Sequence, residues 1–401
     1  MFPALGGGGS ASARILIDCP VSDVSPPPPS APDASALRDR LLAVIARGMQ
    51  APLGDAEFGA LARDVFAHQF AGNAPYRAFC ERRGTTPDTV ARWQDVPAVP
   101  TDAFKAAALV VGGAAAPMAA VFRTSGTTQG GERRGTHYVP DLSFYDAALR
   151  VGFAAHLLPD GARLRVLSLV PRPADLPDSS LSHMLGEVVR DLAAPGSGWF
   201  VDTPGGIDHA RLAAALRGAE QSGEPVLVAG TAFAFVHWLD ALREADTCFR
   251  LPEGSRLMDT GGFKGRAREV TRGELYGAVQ DRLGIAPQWC VNEYGMTEMS
   301  SQFYDAVAGG GLADPGERLH AGPPWVRTQA TDPETLRPLA HGEVGVLRHM
   351  DLANLNSVAA IQTADLGITA PGGFRVLGRA RGAEARGCSI AMDDLLSAIG
   401  R

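Results

Sequence analysis

The middle of the chain alternates short apolar runs with longer amphipathic stretches, and that alternation sets the fold class. The runs Leu164–Val170, Val226–Ala229, Arg256–Met258 and Trp289–Val291 read as buried strands. Helix candidates at 143–157, 209–221, 232–245 and 266–283 lie between them. Strands joined by helices cannot turn back as hairpins, so the sheet must be mostly parallel with helices on both faces. An α/β fold is therefore expected.

The flanks differ in texture. Residues 1–35 hold a glycine run at Gly6–Gly9 and the prolines Pro26–Pro29, and are expected to form a disordered or loosely docked tail. From Ala36 to about Ala107 the pattern is mostly helical, with a proline-marked turn at Val96–Pro100. After about Gly322 short alternating segments, Gly342–Leu347 and Gly373–Gly378, suggest antiparallel strands. The expected organisation is a tail over 1–35, an α/β core over 36–322 and a small β subdomain over 323–401.

Composition excludes several classes. Net charge is −7, and no block of Lys or Arg stands out, which argues against general affinity for nucleic acid or anionic membrane. No apolar stretch reaches the roughly 18 residues of a membrane span, and the N-terminus lacks a secretory pattern. The five cysteines are scattered without a C-x-x-C pair, which fits reduced thiols. A cytoplasmic enzyme is the expectation.

Four segments carry chemistry. Thr124-Ser125-Gly126-Thr127-Thr128-Gln129-Gly130-Gly131 follows an apolar run and packs hydroxyls among glycines, as a phosphate-binding loop requires. It does not match the pattern of P-loop NTPases, and alone it reads equally as a surface loop. Asn292-Glu293-Tyr294-Gly295-Met296-Thr297-Glu298 ends a strand candidate, where parallel sheets bind ligands. Its tyrosine suits a base, its threonine a phosphate and its second glutamate Mg²⁺; a polar helix start is the plain alternative. Asp259-Thr260-Gly261-Gly262-Phe263 would let main chain lie against a flat ring, or is simply a tight turn. Thr363-Ala364-Asp365-Leu366-Gly367 and Leu377-Gly378-Arg379 offer a carboxylate for a ribose diol and a cation for phosphate, or two solvated turns.

Taken in order, these segments resemble the acyl-adenylate-forming superfamily of acyl-CoA synthetases, nonribosomal adenylation domains and firefly luciferase. The likeness narrows to the acyl-protein synthetases, the LuxE-type fatty acid–protein ligases related to phenylacetate-CoA ligases. It is carried by Asn73–Cys80, Val96-Pro97 to Phe104-Lys105, Gly230–Phe233, Asn292–Glu298 running into Ser300–Asp305, and Arg386-Gly387-Cys388-Ser389.

The resemblance implies ATP and Mg²⁺ as cofactors and assigns roles. Thr124, Ser125, Gly126, Thr127 and Thr128 would cradle the β- and γ-phosphates. Gly261 and Gly262 would flank the adenine, with Tyr294 packed against it. Thr297 would bind the α-phosphate, Glu298 the Mg²⁺, Asp365 the ribose hydroxyls, and Arg379 the ribose and phosphate. Two departures stand out: Gln129 replaces the usual glycine, and no lysine follows in the loop, leaving Arg133 or Arg134 to supply charge. The chain is also expected to lack the mobile C-terminal domain of ordinary acyl-CoA synthetases.

By the same likeness Cys388 is the nucleophile that would hold the acyl group as a thioester, with Arg386 and a flexible Gly387 favouring the thiolate. The substrate would be a carboxylic acid of the fatty-acid kind, and an NADPH-dependent acyl reductase would receive the product. Two other readings stand beside this one: transfer to coenzyme A, a carrier protein or an amine, and a degenerate nucleotide-binding non-enzyme. His137 and His183 read as satisfied polar residues, and Phe235 and Trp238 as core.

Overall fold

The computed structural model describes residues 33–400 apart from 125–133, 203–205, 262–269, 312–313, 381–385 and the side chain of Arg386. The expected tail thus lies almost wholly outside the described residues. Helices α1 (Ala34–Ala46), α2 (Asp55–Gly72) and α3 (Ala74–Arg82) come first, then strand β1 (Val99–Pro100) and the short α4 (Ala103–Ala106). A hairpin of β2 (Ala120–Arg123) and β3 (Thr136–Val139) leads into α5 (Ser143–Leu157). Alternation follows: β4 (Arg165–Leu169), α6 (Ser180–Asp191), β5 (Gly198–Trp199), the small hairpin β6 (Val201–Asp202) and β7 (Gly206–Ile207), then α7 (His209–Ser222). It continues with β8 (Val226–Thr231), α8 (Ala232–Glu244), β9 (Arg256–Thr260), α9 (Arg272–Leu283), β10 (Cys290–Tyr294) and β11 (Phe303–Tyr304). Last come β12 (Val326–Thr331), β13 (Gly345–Asp351), β14 (Ala360–Ala370), β15 (Gly373–Arg379) and α10 (Arg386–Ala398).

One sheet has the order β11-β10-β9-β8-β4-β5, parallel except for β11. Its strands split their side chains between two cores with period two. Val226, Val228, Leu257 and Cys290 join the cluster under α7, α8 and α9, where Phe235 and Trp238 are buried as expected. Leu227, Ala229, Met258 and Val291 face the opposite way, into the cluster under α5 and α6. Continuous apolar runs are therefore needed, because neither face is wet. The strand ends also start the helices: Thr231, last in β8, caps α8 by accepting the Ala234 N–H (3.1 Å). Trp289, expected at the head of β10, instead ends a short 3-10 turn, Pro287–Trp289.

The second sheet runs β1-β14-β13-β12, with β15 also on β14. Its C-terminal strands pair antiparallel, while β1 lies parallel to β14, Val99 beside Ile361. The strands after Gly322 are thus completed by a strand from the N-terminal helical region, whose Leu41, Phe58, Val65 and Phe79 share a core with Leu347, Met350 and Ile361. Gly345–Asp351 forms the strand expected near Gly342, which begins later because Gly342 turns at φ 87°. Among the described residues no helix is long and apolar enough to cross a membrane.

The sheets are joined by a buried carboxylate at the end of β13. Asp351 accepts the N–H groups of Ser300 (3.0 Å), Ser301 (2.9 Å) and Ala353 (3.0 Å) and the Ser301 hydroxyl (2.8 Å). Ser300 and Ser301 belong to the loop after β10, so this one side chain ties the parallel sheet to the second. Asp351→Ala would leave those buried N–H groups without acceptors, and we expect it to lower stability by about 3 kcal/mol or more, read as a drop in the urea midpoint. An unchanged midpoint would show that the joint carries no stability.

Candidate active site

The strand ends of β9 and β10 are held by a buried polar network. Asn292 Nδ2 donates to Asp259 Oδ2 (2.9 Å) and to the Asp259 carbonyl (3.1 Å). Tyr276 donates to Asp259 Oδ1 (2.6 Å), and Arg272 lies 3.3 Å from Oδ2. His320 Nε2 sits 2.7 Å from Asn292 Oδ1, and the Asn292 N–H donates to Asp305 (2.7 Å). Burial pushes His320 down to about 3, so it is neutral, and raises Asp305 to about 6. This network fixes the spacing between the Gly261 loop and the Tyr294 loop, which is where a parallel sheet presents ligand sites.

Three of the sequence-designated residues meet here. The Tyr294 hydroxyl donates to Asp365 Oδ2 (2.8 Å), and Arg379 Nε lies 3.5 Å from Asp365 Oδ1. Register explains the second contact, because Asp365 on β14 pairs directly with Arg379 on β15. The Tyr294 ring packs against Phe303, His320, His349 and Phe374, and burial beside Asp365 keeps its hydroxyl protonated. Thr297 is half-buried and Glu298 buried in the loop after β10. That loop is braced by its backbone: His137 Nδ1 lies 2.7 Å from the Thr297 carbonyl, and Asn354 donates to the Glu298 carbonyl (2.9 Å). His137 is pushed down to about 4 by burial, in keeping with a satisfied structural residue.

Of the hydroxyl-rich loop, Thr124 is described, and Ser125, Gly126, Thr127, Thr128, Gln129 and Arg133 lie outside the described residues. Thr124 closes the stem: its N–H donates to the Gly135 carbonyl (3.0 Å) and its hydroxyl accepts the Gly135 N–H (2.9 Å). Arg134 is committed to the same stem, donating to the carbonyls of Thr124 and Arg123 and to Asp178 (2.9 Å). Its guanidinium thus has a structural duty in place of the missing lysine's. Gly261 turns at φ 75° just past β9, a conformation that favours glycine, and Gly262 is outside the described residues.

Cys388 lies in the first turn of α10, half-buried, its Sγ 3.5 Å from the Thr363 carbonyl. Thr363 is on β14 two residues before Asp365, whose N–H it accepts (3.0 Å), so the thiol and the Tyr294–Asp365 pair share one strand. The expected easing toward thiolate is corrected. Burial, with Asp102 nearby, pushes the thiol up to about 11. Gly387 is not a flexible neighbour: a Cβ there would meet the Pro333 carbonyl at 2.7 Å, and its N–H donates to that oxygen (2.8 Å).

The sequence reading gave roles to Tyr294, Thr297 and Glu298 of this motif and none to Glu293. Alternation puts Asn292 and Tyr294 on one face and Glu293 on the other, and Glu293 is buried with its Oε2 accepting from Thr260. Burial raises it to about 7. An acidic residue inside an otherwise apolar strand was the signal available.

The fold, a parallel sheet whose strand-end loops face the β14–β15 pair, is shared with solved CoA ligases. The structure of 2-hydroxyisobutyryl-CoA ligase bound to R3-HIB-AMP superposes at TM-score 0.58 over 83% of this chain and 69% of that one, at 16% identity, a likeness of fold. The chain spans 48% of the length of ATP-bound MatB from Rhodopseudomonas palustris, at TM-score 0.48 and 17% identity. Within that fold the assignment is narrower. Residues 185–397 match the family described as acyl-protein synthetase, LuxE, and the chain belongs to that family. The long-chain-fatty-acid–luciferin-component ligase of Vibrio harveyi is 23% identical over 353 residues, 84% of this chain and 88% of that one. Membership makes the chain an enzyme of the acid–thiol ligase class.

The burial of Cys388 has a direct readout. Iodoacetamide at neutral pH is expected to modify the exposed Cys248 well before Cys388, with Cys388 labelling rising as pH approaches about 11. Equal labelling of the two at neutral pH would contradict a docked, protonated thiol.

Proposed function

We propose that the chain activates a carboxylic acid, in the first instance a fatty acid, with ATP and then carries the acyl group on Cys388. The observation that carries this reading is the meeting of Tyr294 and Arg379 at Asp365, on the strand that also contacts Cys388. The donor set fits a nucleotide: an aromatic face, a carboxylate for a diol, a cation, and in Glu298 a hard oxygen suited to Mg²⁺. Bound Mg²⁺ would neutralise phosphate charge.

In the first step a carboxylate oxygen bonds to the α-phosphorus in line with the departing group. The α–β phosphoanhydride bond breaks and pyrophosphate leaves with its electron pair. The protein's part is alignment and charge: Thr297 at the α-phosphate, Arg379 at the ribose and phosphate, and the Thr124-anchored loop around the leaving phosphates. In the second step the Cys388 sulfur bonds to the acyl carbon, the acyl–phosphate bond breaks, AMP departs and the thiol proton passes to solvent. An NADPH-dependent acyl reductase would then take the acyl group. For the Vibrio harveyi relative, the name gives the acceptor as a luciferin component.

A second reading keeps the adenylate and sends the acyl group to coenzyme A, a carrier protein or an amine. The buried, protonated thiol of Cys388 favours it.

Intact-mass measurement after incubation with Mg-ATP and a panel of acids separates the two. The first predicts a hydroxylamine-labile adduct of acyl mass, lost in Cys388→Ser while acid-dependent exchange of pyrophosphate into ATP persists. AMP release with an external thiol but no adduct would overturn Cys388 as carrier and leave the second reading.

A further inference from the structure

The last rung of the parallel sheet places Thr260, Glu293 and Tyr304 side by side. Thr260 on β9 pairs with Glu293 on β10, and Glu293 pairs with Tyr304 on β11, so the three side chains share one face. That face is the one under α5, opposite Tyr294, with Tyr145, Leu149, Phe153 and Val291 around it. Glu293 is 4% exposed. Its Oε2 accepts from Thr260, whereas Oε1 has no hydrogen-bond partner among the described residues. Among the described residues the buried Tyr304 hydroxyl has no partner, and neither has the buried Oε1 of Gln302.

The charge is also unbalanced. The charged group that acts most on Glu293 is Asp259, of the same sign, and no arginine or lysine among the described residues pairs with it. A buried carboxyl without a cation is costly, and orphaned polar atoms beside it call for an outside partner. Space is kept for the carboxyl at the sheet's mouth: a Cβ at Gly295 would fall 2.3 Å from Glu293 Oε1. Glu293 therefore sits between the loop of Gly261 and the loop of Thr297 and Glu298, on the side away from the Tyr294–Asp365 pair.

We infer that the acid this enzyme activates carries a hydrogen-bond donor on its acyl portion, a hydroxyl or an ammonium, read by Glu293 Oε1 and the Tyr304 hydroxyl. The inference rests on the adenylation reading and sharpens it, since an unsubstituted fatty acid would offer neither Glu293 Oε1 nor the Tyr304 hydroxyl a partner. Rejection follows from the same physics. A site built to bond a donor discriminates strongly against the analogue that lacks one, because its own polar groups stay stranded.

The test uses the full chain and three acids of equal length: the unsubstituted acid, its hydroxy analogue and its amino analogue. Each is measured by pyrophosphate exchange and, without ATP, by calorimetric binding, for the parent and for Glu293→Gln and Glu293→Leu. We expect the parent to favour a donor-bearing acid about 10- to 100-fold over the unsubstituted one. Glu293→Leu should erase or invert that preference. Glu293→Gln, which keeps the shape and the Thr260 contact, should retain the hydroxy acid and lose the amino acid if the donor is an ammonium. Equal ratios in parent and Glu293→Leu, with exchange intact, would overturn the inference and leave adenylation standing. Donor-dependent binding that Glu293→Leu abolishes, without exchange for any acid, would support the Glu293 site while refuting adenylation.

Discussion

The site depends on the hydrogen bonds from Asn292 to Asp259. Both residues are fully buried at the carboxyl ends of adjacent parallel strands, where the ladder stops and the loops begin to diverge. Without a side-chain link the two loops would separate as their own packing dictated. With it, Gly261 and Tyr294 leave the sheet at a fixed distance. Tyr276 and Arg272 bond the Asp259 carboxylate and His320 Nε2 bonds the Asn292 side chain, so the pair is held from both sides.

The second sheet completes what the first presents. Asp365 and Arg379 are neighbours across β14 and β15, and Tyr294 reaches over from the parallel sheet to bond the first of them. The Asp351 joint keeps the two sheets in position for that reach. Strand β14 is also where α10 docks, through the contact of Cys388 with Thr363. The side chains proposed to bind nucleotide and the thiol proposed to carry the acyl group therefore meet on a single strand.

Much of this was legible in the sequence, for identifiable reasons. Helices α5, α7 and α8 and strands β4 and β8 stand out because apolar periodicity switches between 3.6 and 2 at their borders. Tyr294, Asp365 and Arg379 could be named because their motif order matched a family, and the structure brings them together. What the sequence hid was non-local. The pairing of β1 with β14 involves two residues some 260 positions from their partners, and no local pattern encodes it. Asp351 looks like a turn residue until its four donors are assembled around it. Glu293 becomes informative only when strand register sets it between Thr260 and Tyr304. The Cys388 environment failed to follow from its neighbours, because Gly387 is there for close packing against Pro333 and not for freedom.

The central claim is that the acid's own oxygen attacks the α-phosphorus in this site. It is tested most directly with a substrate acid whose carboxyl oxygens are both heavy isotope, turned over with Mg-ATP and excess thiol, with product masses recorded. The account predicts AMP carrying one heavy oxygen and unlabelled pyrophosphate. Label found in inorganic phosphate with ADP as co-product, or AMP with no label, would contradict it.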